Sequence, residues 1–216
     1  MELSQAIRER KSIRAFKADP VPKEVLKELL ETAVRAPSSR NIQPWHITVA
    51  TGKALDAIRQ GNLEMLAVAA PGPERPLEGR YRERQMEQAQ QLFALLGIAR
   101  DDKEKRDAWS KQSTQYFGAP AAIFLSIDEV LGDRSPYFDC GMLTQTICLA
   151  AVNRGLGTCI LGAGIRFPDV VKRLTGIPAT ERLIISICVG YPDWSKPVNK
   201  MDSKRDPIDS TVRWVE

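Results

Sequence analysis

"DCGMLTQTICLAAVNRGLGTCILG", residues 139–162, decides the fold of this chain. Residues 139–155 are strongly apolar, which predicts a helix buried near the centre of the molecule. The segment LGTCILG, residues 156–162, predicts a tight turn followed by a short strand. We therefore expect a central helix that leads directly into a sheet.

Other strands and helices are predicted on both sides of this stretch. The predicted strands are WHITVA (45–50), APAAIFLSI (119–127) and RLIISICVGYP (182–192). The predicted helices cover residues 3–10, 22–36, a segment from about residue 53, most of 79–117, and 167–176. Few of the spacings fit a strand–helix–strand unit, so the pattern predicts an α+β fold with helices flanking the sheet.

The length of 216 residues favours one domain, residues 1–216, with two additions. PGPERP, residues 71–76, interrupts the chain and introduces a polar helical region. We interpret about 71–117 as a helical lid insert, because the apolar segments after it are too few for a second core. The tail, about 193–216, carries Trp194 and Trp214, so we expect it to pack on another surface.

Composition argues against several classes of function. The net charge is +4, and cations alternate with acids, which does not suggest a nucleic-acid binder. Four cysteines without a C-x-x-C pair and a single histidine, His46, give no metal-ligand cluster, and we expect buried free thiols. His46 is better explained by a structural hydrogen bond than by catalysis. The N-terminus has no apolar signal region and no run approaches the roughly 18 apolar residues of a membrane span, so we expect a cytoplasmic protein.

RERKSIRAF, residues 8–16, concentrates four cations at the end of the first predicted helix. One interpretation is a solvated helix end whose cations complement the helix dipole. The other is an anion site, in which Arg10 and Lys11 pair with a phosphate and Ser12 donates its hydroxyl. The glycines of 155–164 do not complete G-x-G-x-x-G, since Ile160 stands at the third position, and they follow a helix rather than a strand.

Four motifs in order resemble the nitroreductase family of FMN-dependent flavoproteins. They are R-K-S-x-R at 10–14, APSSRNIQPW at 36–45, the stretch at 139–162 quoted above, and KRDPIDSTV at 204–212. The resemblance covers nearly the whole chain apart from the insert. It implies an α+β nitroreductase-like fold with a mostly antiparallel sheet, and a homodimer with two FMN at the interface whose tails wrap the partner subunit.

The resemblance also implies the FMN contacts. Arg10, Lys11 and Ser12 would hold the phosphate and ribityl chain, together with Lys204 and Arg205. Arg14 would lie at the pyrimidine edge, where a cation stabilises the charge that develops on reduction. The residues that would reach the flavin of the other subunit are Pro37, Ser38, Ser39, Asn41 and Gln43. Gln145 would lie near the ring, and Leu161 and Gly162 would present a backbone N–H to flavin N5.

The implied reaction passes a hydride from NADH or NADPH through FMN to an aromatic acceptor such as a nitroarene or quinone, without a protein acid or base. The insert resembles that of nitrobenzoate reductases, and one of its arginines would bind a carboxylate or a cofactor phosphate. The candidate substrate residues there are Arg80, Tyr81, Arg82, Arg84 and Phe93. The open alternatives are a flavoenzyme of the same fold with another reaction (reductive dehalogenation or flavin cleavage), a non-catalytic FMN carrier, and a nucleic-acid binder.

Overall fold

The computed structural model describes residues 1–70, 76–132 and 134–216. Within them the chain forms seven α-helices and four strands. The helices are α1 (Leu3–Glu9), α2 (Lys23–Ala33), α3 (Gly52–Val68), α4 (Gly79–Leu96), α5 (Lys103–Thr114), α6 (Arg134–Val152) and α7 (Pro168–Thr175). The strands are β1 (Trp45–Thr51), β2 (Ala121–Asp128), β3 (Gly157–Leu161) and β4 (Glu181–Gly190).

The four strands form one antiparallel sheet in the order β1-β2-β4-β3. Both faces of the sheet are covered, because alternate residues of β2 enter two different cores. Ile123, Leu125 and Ile127 pack with α2 and α6, whereas Phe124 packs with α3 and α7 on the other face. This arrangement confirms the predicted α+β fold with a central antiparallel sheet.

The central helix α6 is buried as the sequence predicts, although it begins earlier than predicted. It starts at Arg134 rather than near residue 139, and Leu143 and Ile147 are completely buried beneath the sheet. Gly155, with φ +70°, ends the turn after the helix, and β3 begins at Gly157. The helix therefore leads into the edge strand β3.

Ser12 and Ile13 lie along the outer side of β3, and Phe16 pairs with Pro192 after β4, so the basic cluster lies against the sheet. The Ile13 N–H donates to the Thr158 carbonyl at 2.8 Å, and Ser12 pairs with Thr158 as a parallel bridge. A Cβ on Gly157 would lie 2.6 Å from Ile13 Cγ1, so only glycine allows this approach.

The predicted insert contains α4, α5 and a 3₁₀ turn at Tyr116–Gly118. The interruption predicted at 71–76 lies, except for Pro76, outside the described residues. Among the helices that the structure describes, none is both long enough and apolar enough to cross a membrane.

Candidate functional site

A cavity of about 440 Å³ lies where α1, α6 and the tail meet. Its wall is mostly polar and carries several cations. The residues that line it are Ile7, Arg8, Arg10, Lys11, Ser12, Gln145, Asp202, Ser203 and Arg205. Five of the residues predicted to contact FMN therefore surround one space, although they come from three distant parts of the sequence.

The N-terminal segment reaches this cavity directly after α1 ends. The helix α1 ends at Glu9, and the backbone is held three residues later by the bridge between Ser12 and Thr158. The three consecutive residues Arg10, Lys11 and Ser12, which follow the helix directly, all line the cavity. The basic cluster is thus part of a cavity wall and not only a solvated helix end.

Asn199 fastens the tail to this segment. It is completely buried, its Oδ1 accepts the Arg14 N–H at 2.8 Å, and its Nδ2 donates to the Ala15 carbonyl at 2.7 Å. Sequence analysis missed Asn199, because an asparagine in a segment without periodicity carries no signal of burial. Its bonds bring the tail residues that follow it to the cavity.

The neighbours Lys204 and Arg205 face different partners. Lys204 Nζ lies 2.6 Å from Glu87 Oε1 of α4, and this lysine does not line the cavity. Arg205 lines the cavity, and its Nη1 donates to the Ser203 carbonyl at 2.7 Å. The structure therefore brings Arg205 together with Arg10 and Lys11, but turns Lys204 toward α4.

Arg14 lies beside the tail at a half-buried position. Its Nη1 is 3.5 Å from the Ser12 carbonyl oxygen and 4.0 Å from the sulfur of buried Met201. It does not line the cationic cavity.

The predicted loop 37–43 is exposed, but its backbone is fixed. Asn41 and Gln43 have positive φ values of 57° and 46°, and the Gln43 N–H donates to Ser38 Oγ at 3.0 Å. The Ser39 N–H lies 3.2 Å from both carboxylate oxygens of Asp139, a buried acid at the start of the apolar part of α6. Sequence analysis gave Asp139 no role, although a lone acid in an apolar helix was a usable signal. No residue of this loop, Pro37 included, lines the cationic cavity.

The turn after β3 leaves open space beside the backbone of Gly162. The Leu161 side chain is buried and its carbonyl accepts the Ser186 hydroxyl at 2.6 Å, so the strand end is held. Gly162 is exposed, and no atom would lie within 4 Å of a Cβ at this position. The Tyr116 hydroxyl donates to the Gly164 carbonyl at 2.6 Å and so fixes the 3₁₀ turn at Gly162–Ile165. A planar ligand can therefore approach the Gly162 backbone closely.

The five lid residues predicted to contact substrate lie outside the cationic cavity. Arg80 stacks over the Tyr81 ring at 5.2 Å, and Arg84 pairs with Asp206 of the tail. Arg82 is exposed on the same helix. Phe93, with the Arg106 guanidinium 5.1 Å above its ring, lines a separate cavity of about 450 Å³ between α4 and the segment that follows it.

The cysteines are free and buried, as predicted. Burial raises the pKa of Cys148, Cys159 and Cys188, and it raises the pKa of Cys140 to about 11. These groups therefore remain neutral thiols at neutral pH and provide no thiolate nucleophile.

The residues present fit a flavin mononucleotide. Arg10, Lys11 and Arg205 supply the cations that a phosphate requires, and Ser12 supplies a hydroxyl. The open space at Gly162 suits the approach of a flat ring. Fold and site together define an α+β protein with a cationic cleft whose side chains have the chemistry to bind a phosphate.

Comparison with known proteins identifies the family. Residues 7–191 match the model of the nitroreductase family, so the chain belongs to this family. It is 29% identical to a 4-nitrobenzoate reductase of Nocardioides sp. (strain LMS-CY), over 97% of this chain and 88% of that protein. The crystal structure of the FMN-dependent nitroreductase NfnB from Mycobacterium smegmatis in complex with NADPH is 30% identical and superposes with a TM-score of 0.91, with 100% of both chains covered. The resemblance drawn from the sequence motifs is thus confirmed.

Proposed function

We propose that this chain is an FMN-dependent NAD(P)H oxidoreductase that reduces nitroarenes by a ping-pong reaction. The observation that carries the proposal is the convergence of Arg10, Lys11, Ser12, Gln145 and Arg205 on one cavity, in a chain that belongs to the nitroreductase family. When bound, FMN would supply the redox chemistry, which is hydride uptake from the nicotinamide and two-electron transfer to the acceptor. The relative solved with NADPH supports NADPH as one donor.

The chain's own residues hold and polarise the cofactor. Arg10, Lys11 and Arg205 would bind the phosphate, and the Ser12 hydroxyl would donate to it. Arg14, whose backbone N–H donates to Asn199, would stabilise negative charge at the pyrimidine edge of the ring. The Gly162 turn would present its backbone to the ring. No side chain is required to transfer a proton.

We propose a homodimer with two FMN at its interface. The loop at 37–43 is fixed by Asp139 yet exposed, which suits contact with the flavin of the partner. The tail exposes Trp214 by 78% and Val215 by 88%, which suits packing on the partner subunit. The mass of the yellow protein by light scattering, together with its FMN content, tests both points; a monomer that binds FMN normally would contradict this assembly.

We assign residues 79–117 the role of a lid that selects the acceptor. Relatives named 4-nitrobenzoate reductase support a substrate with a carboxylate. Because Asp206 already pairs with Arg84, Arg80 and Arg82 are the better candidates to bind that carboxylate. The kcat/KM for 4-nitrobenzoate and for nitrobenzene should fall unequally in Arg80→Ala or Arg82→Ala, with the larger loss for nitrobenzoate. Equal efficiencies of the unaltered enzyme on the two substrates would contradict a carboxylate site.

Anaerobic titration of the purified protein tests the function. The yellow protein should bleach on addition of NADPH or NADH, and its colour should return when 4-nitrobenzoate is added. Flavin that binds but is not bleached by either nicotinamide would indicate a carrier. Protein that acquires no flavin on incubation with FMN would overturn the proposal.

The four buried free thiols suit a reducing compartment, and we propose a cytoplasmic location.

A further inference from the structure

His46, Asp128 and Glu181 meet at one end of the sheet although they are far apart in the sequence. His46 pairs with Ser126 across β1 and β2, and Asp128 pairs with Glu181 across β2 and β4. Directly paired residues of an antiparallel sheet project to the same face, as do residues two apart on one strand. All four side chains therefore share one face.

The three potential ligand atoms are close to one another. The His46 nitrogen and the two carboxylates each offer one atom, and these atoms all lie within 4.8 Å of one another. His46 Nε2 is 3.4 Å from Asp128 Oδ2. Tetrahedral zinc with ligand bonds of about 2.0–2.2 Å separates its ligands by about 3.3–3.5 Å, so this pair already has the required spacing.

A buried hydroxyl orients the third group. Ser126 is completely buried, and its Oγ donates to Glu181 Oε2 at 2.6 Å. Outer-shell bonds of this kind fix the direction of a ligating carboxylate in metal sites. The site thus has a ligand set and a support built from the rigid strands of the sheet.

The charges also favour a bound cation. Asp128 and Glu181 are acids placed directly opposite each other on neighbouring strands, an arrangement that is destabilising when both are ionised. A divalent ion between them would offset this repulsion. Asp128 and His46 are each about half exposed, which leaves room for water at the remaining coordination position.

We propose that His46, Asp128 and Glu181 bind a divalent transition-metal ion of the zinc type. One imidazole and two carboxylates suit Zn²⁺, Co²⁺ or Ni²⁺ better than Mg²⁺ or Ca²⁺, which prefer oxygen ligands only. None of the three residues lines the cationic cavity, and the site is independent of the proposed flavin chemistry. An ion here would brace the start of β1, the strand that directly follows the loop at 37–43.

Titration of tag-free, chelator-treated protein with Zn²⁺ tests the site by calorimetry, and Co²⁺ gives a visible spectrum of the bound ion. We expect one ion per chain. His46→Ala should weaken binding at least about 100-fold, and Ser126→Ala should weaken it about 10–100-fold, the range measured for outer-shell partners. Zn²⁺ should raise the Tm of the unaltered protein but not that of His46→Ala.

Glu31→Gln serves as the matched control, since it removes an exposed carboxylate from α2. It should bind Zn²⁺ as the unaltered protein does. Absence of stoichiometric binding below millimolar Zn²⁺ would overturn the proposal, and so would binding that His46→Ala leaves unchanged. Asp128→Asn keeps the shape of the side chain, so its loss of binding in a protein with an unchanged circular dichroism spectrum separates ligation from misfolding.

Discussion

The adjacent cations Lys204 and Arg205 face different partners because Glu87 of α4 pairs with one of them, Lys204. Arg205 lines the cationic cavity, whereas Lys204 is paired with Glu87 of α4. The family pattern assigns both residues to the phosphate. Because Glu87 already pairs with Lys204, we expect Arg205 to be the one of the two that contacts the phosphate.

Substitution of these two residues should therefore have unequal effects on FMN affinity. A hydrogen bond to a charged group contributes about 1.5–3 kcal/mol, so Arg205→Ala should raise the Kd for FMN by about 10–150-fold. Lys204→Ala should change it by no more than about threefold. Fluorescence titration of apoprotein with FMN measures both values, and equal losses would mean that Lys204 also reaches the phosphate.

Asp139 anchors the exposed loop that carries Ser38 to Gln43. Its carboxylate accepts the Ser39 N–H at 3.2 Å and is itself buried. Asp139→Ala would leave this N–H without its acceptor, and we expect a loss of about 1–3 kcal/mol in the free energy of unfolding. Asp139→Asn keeps an acceptor oxygen and should lose less, which urea denaturation of the two variants will show; a larger loss in Asp139→Asn would contradict the anchoring role.

At the scale of elements, α4 is tied to the tail by polar contacts rather than by a core. Arg84 pairs with Asp206, and Gln88 donates to Ser203 Oγ at 3.2 Å. No residue of α4 is fully buried. These contacts flank Arg205, so they link the position of α4 to the cationic cavity.

Removal of one of these contacts should loosen the tail locally. Exposed ion pairs contribute about 0–1 kcal/mol, so Asp206→Asn should lower the free energy of unfolding by no more than about 1 kcal/mol. Amide hydrogen exchange in residues 201–206 should become faster, because the tail there has few buried apolar contacts to hold it. Asp209→Asn, which alters a nearby exposed acid of the tail, is the control, and equal protection in both variants would mean that the ion pair does not hold the tail.

Elements with strong patterns could be predicted from the sequence, and contacts between distant segments could not. The apolar stripe of α2 and the apolar run at 121–125 of β2 gave each element nearly its observed bounds, because burial imposes these patterns. The motif residues Arg10, Ser12 and Gln145 could likewise be named as a set. The bonding partners of Asn199 and Asp139 lie 185 and 100 residues away, and local spacing does not encode them. The grouping of His46 with Asp128 and Glu181 depends in the same way on strand register, so a sequence with one histidine gave no sign of it.

For the molecule as a whole, the two covered faces of the sheet bury every cysteine and one tyrosine. Cys148 lies on the side of α2 and α6, and Cys159, Cys188 and Tyr116 lie on the other side. Burial raises the pKa of each thiol, as it raises that of the Tyr116 phenol. The fold therefore holds these groups in their protonated, neutral forms.

This burial predicts that the protein loses stability in alkaline solution. An unfolded cysteine has a pKa of about 8.5, so above that pH the unfolded chain releases protons that the native chain retains. Because the folded pKa is the higher one, the stabilisation is complete below about pH 8.5 and is lost as the pH rises toward the folded pKa. Each such thiol should lower the free energy of unfolding by about 1.4 kcal/mol per pH unit, and Tyr116 should add to the slope above about pH 10. Urea denaturation with a reductant, at one protein concentration and at intervals from pH 7 to pH 10, measures the slope. Cys188→Ala should be less stable at pH 7 but have a shallower slope above pH 9, and a flat profile for the unaltered protein up to pH 9.5 would show that the thiols ionise in the folded state.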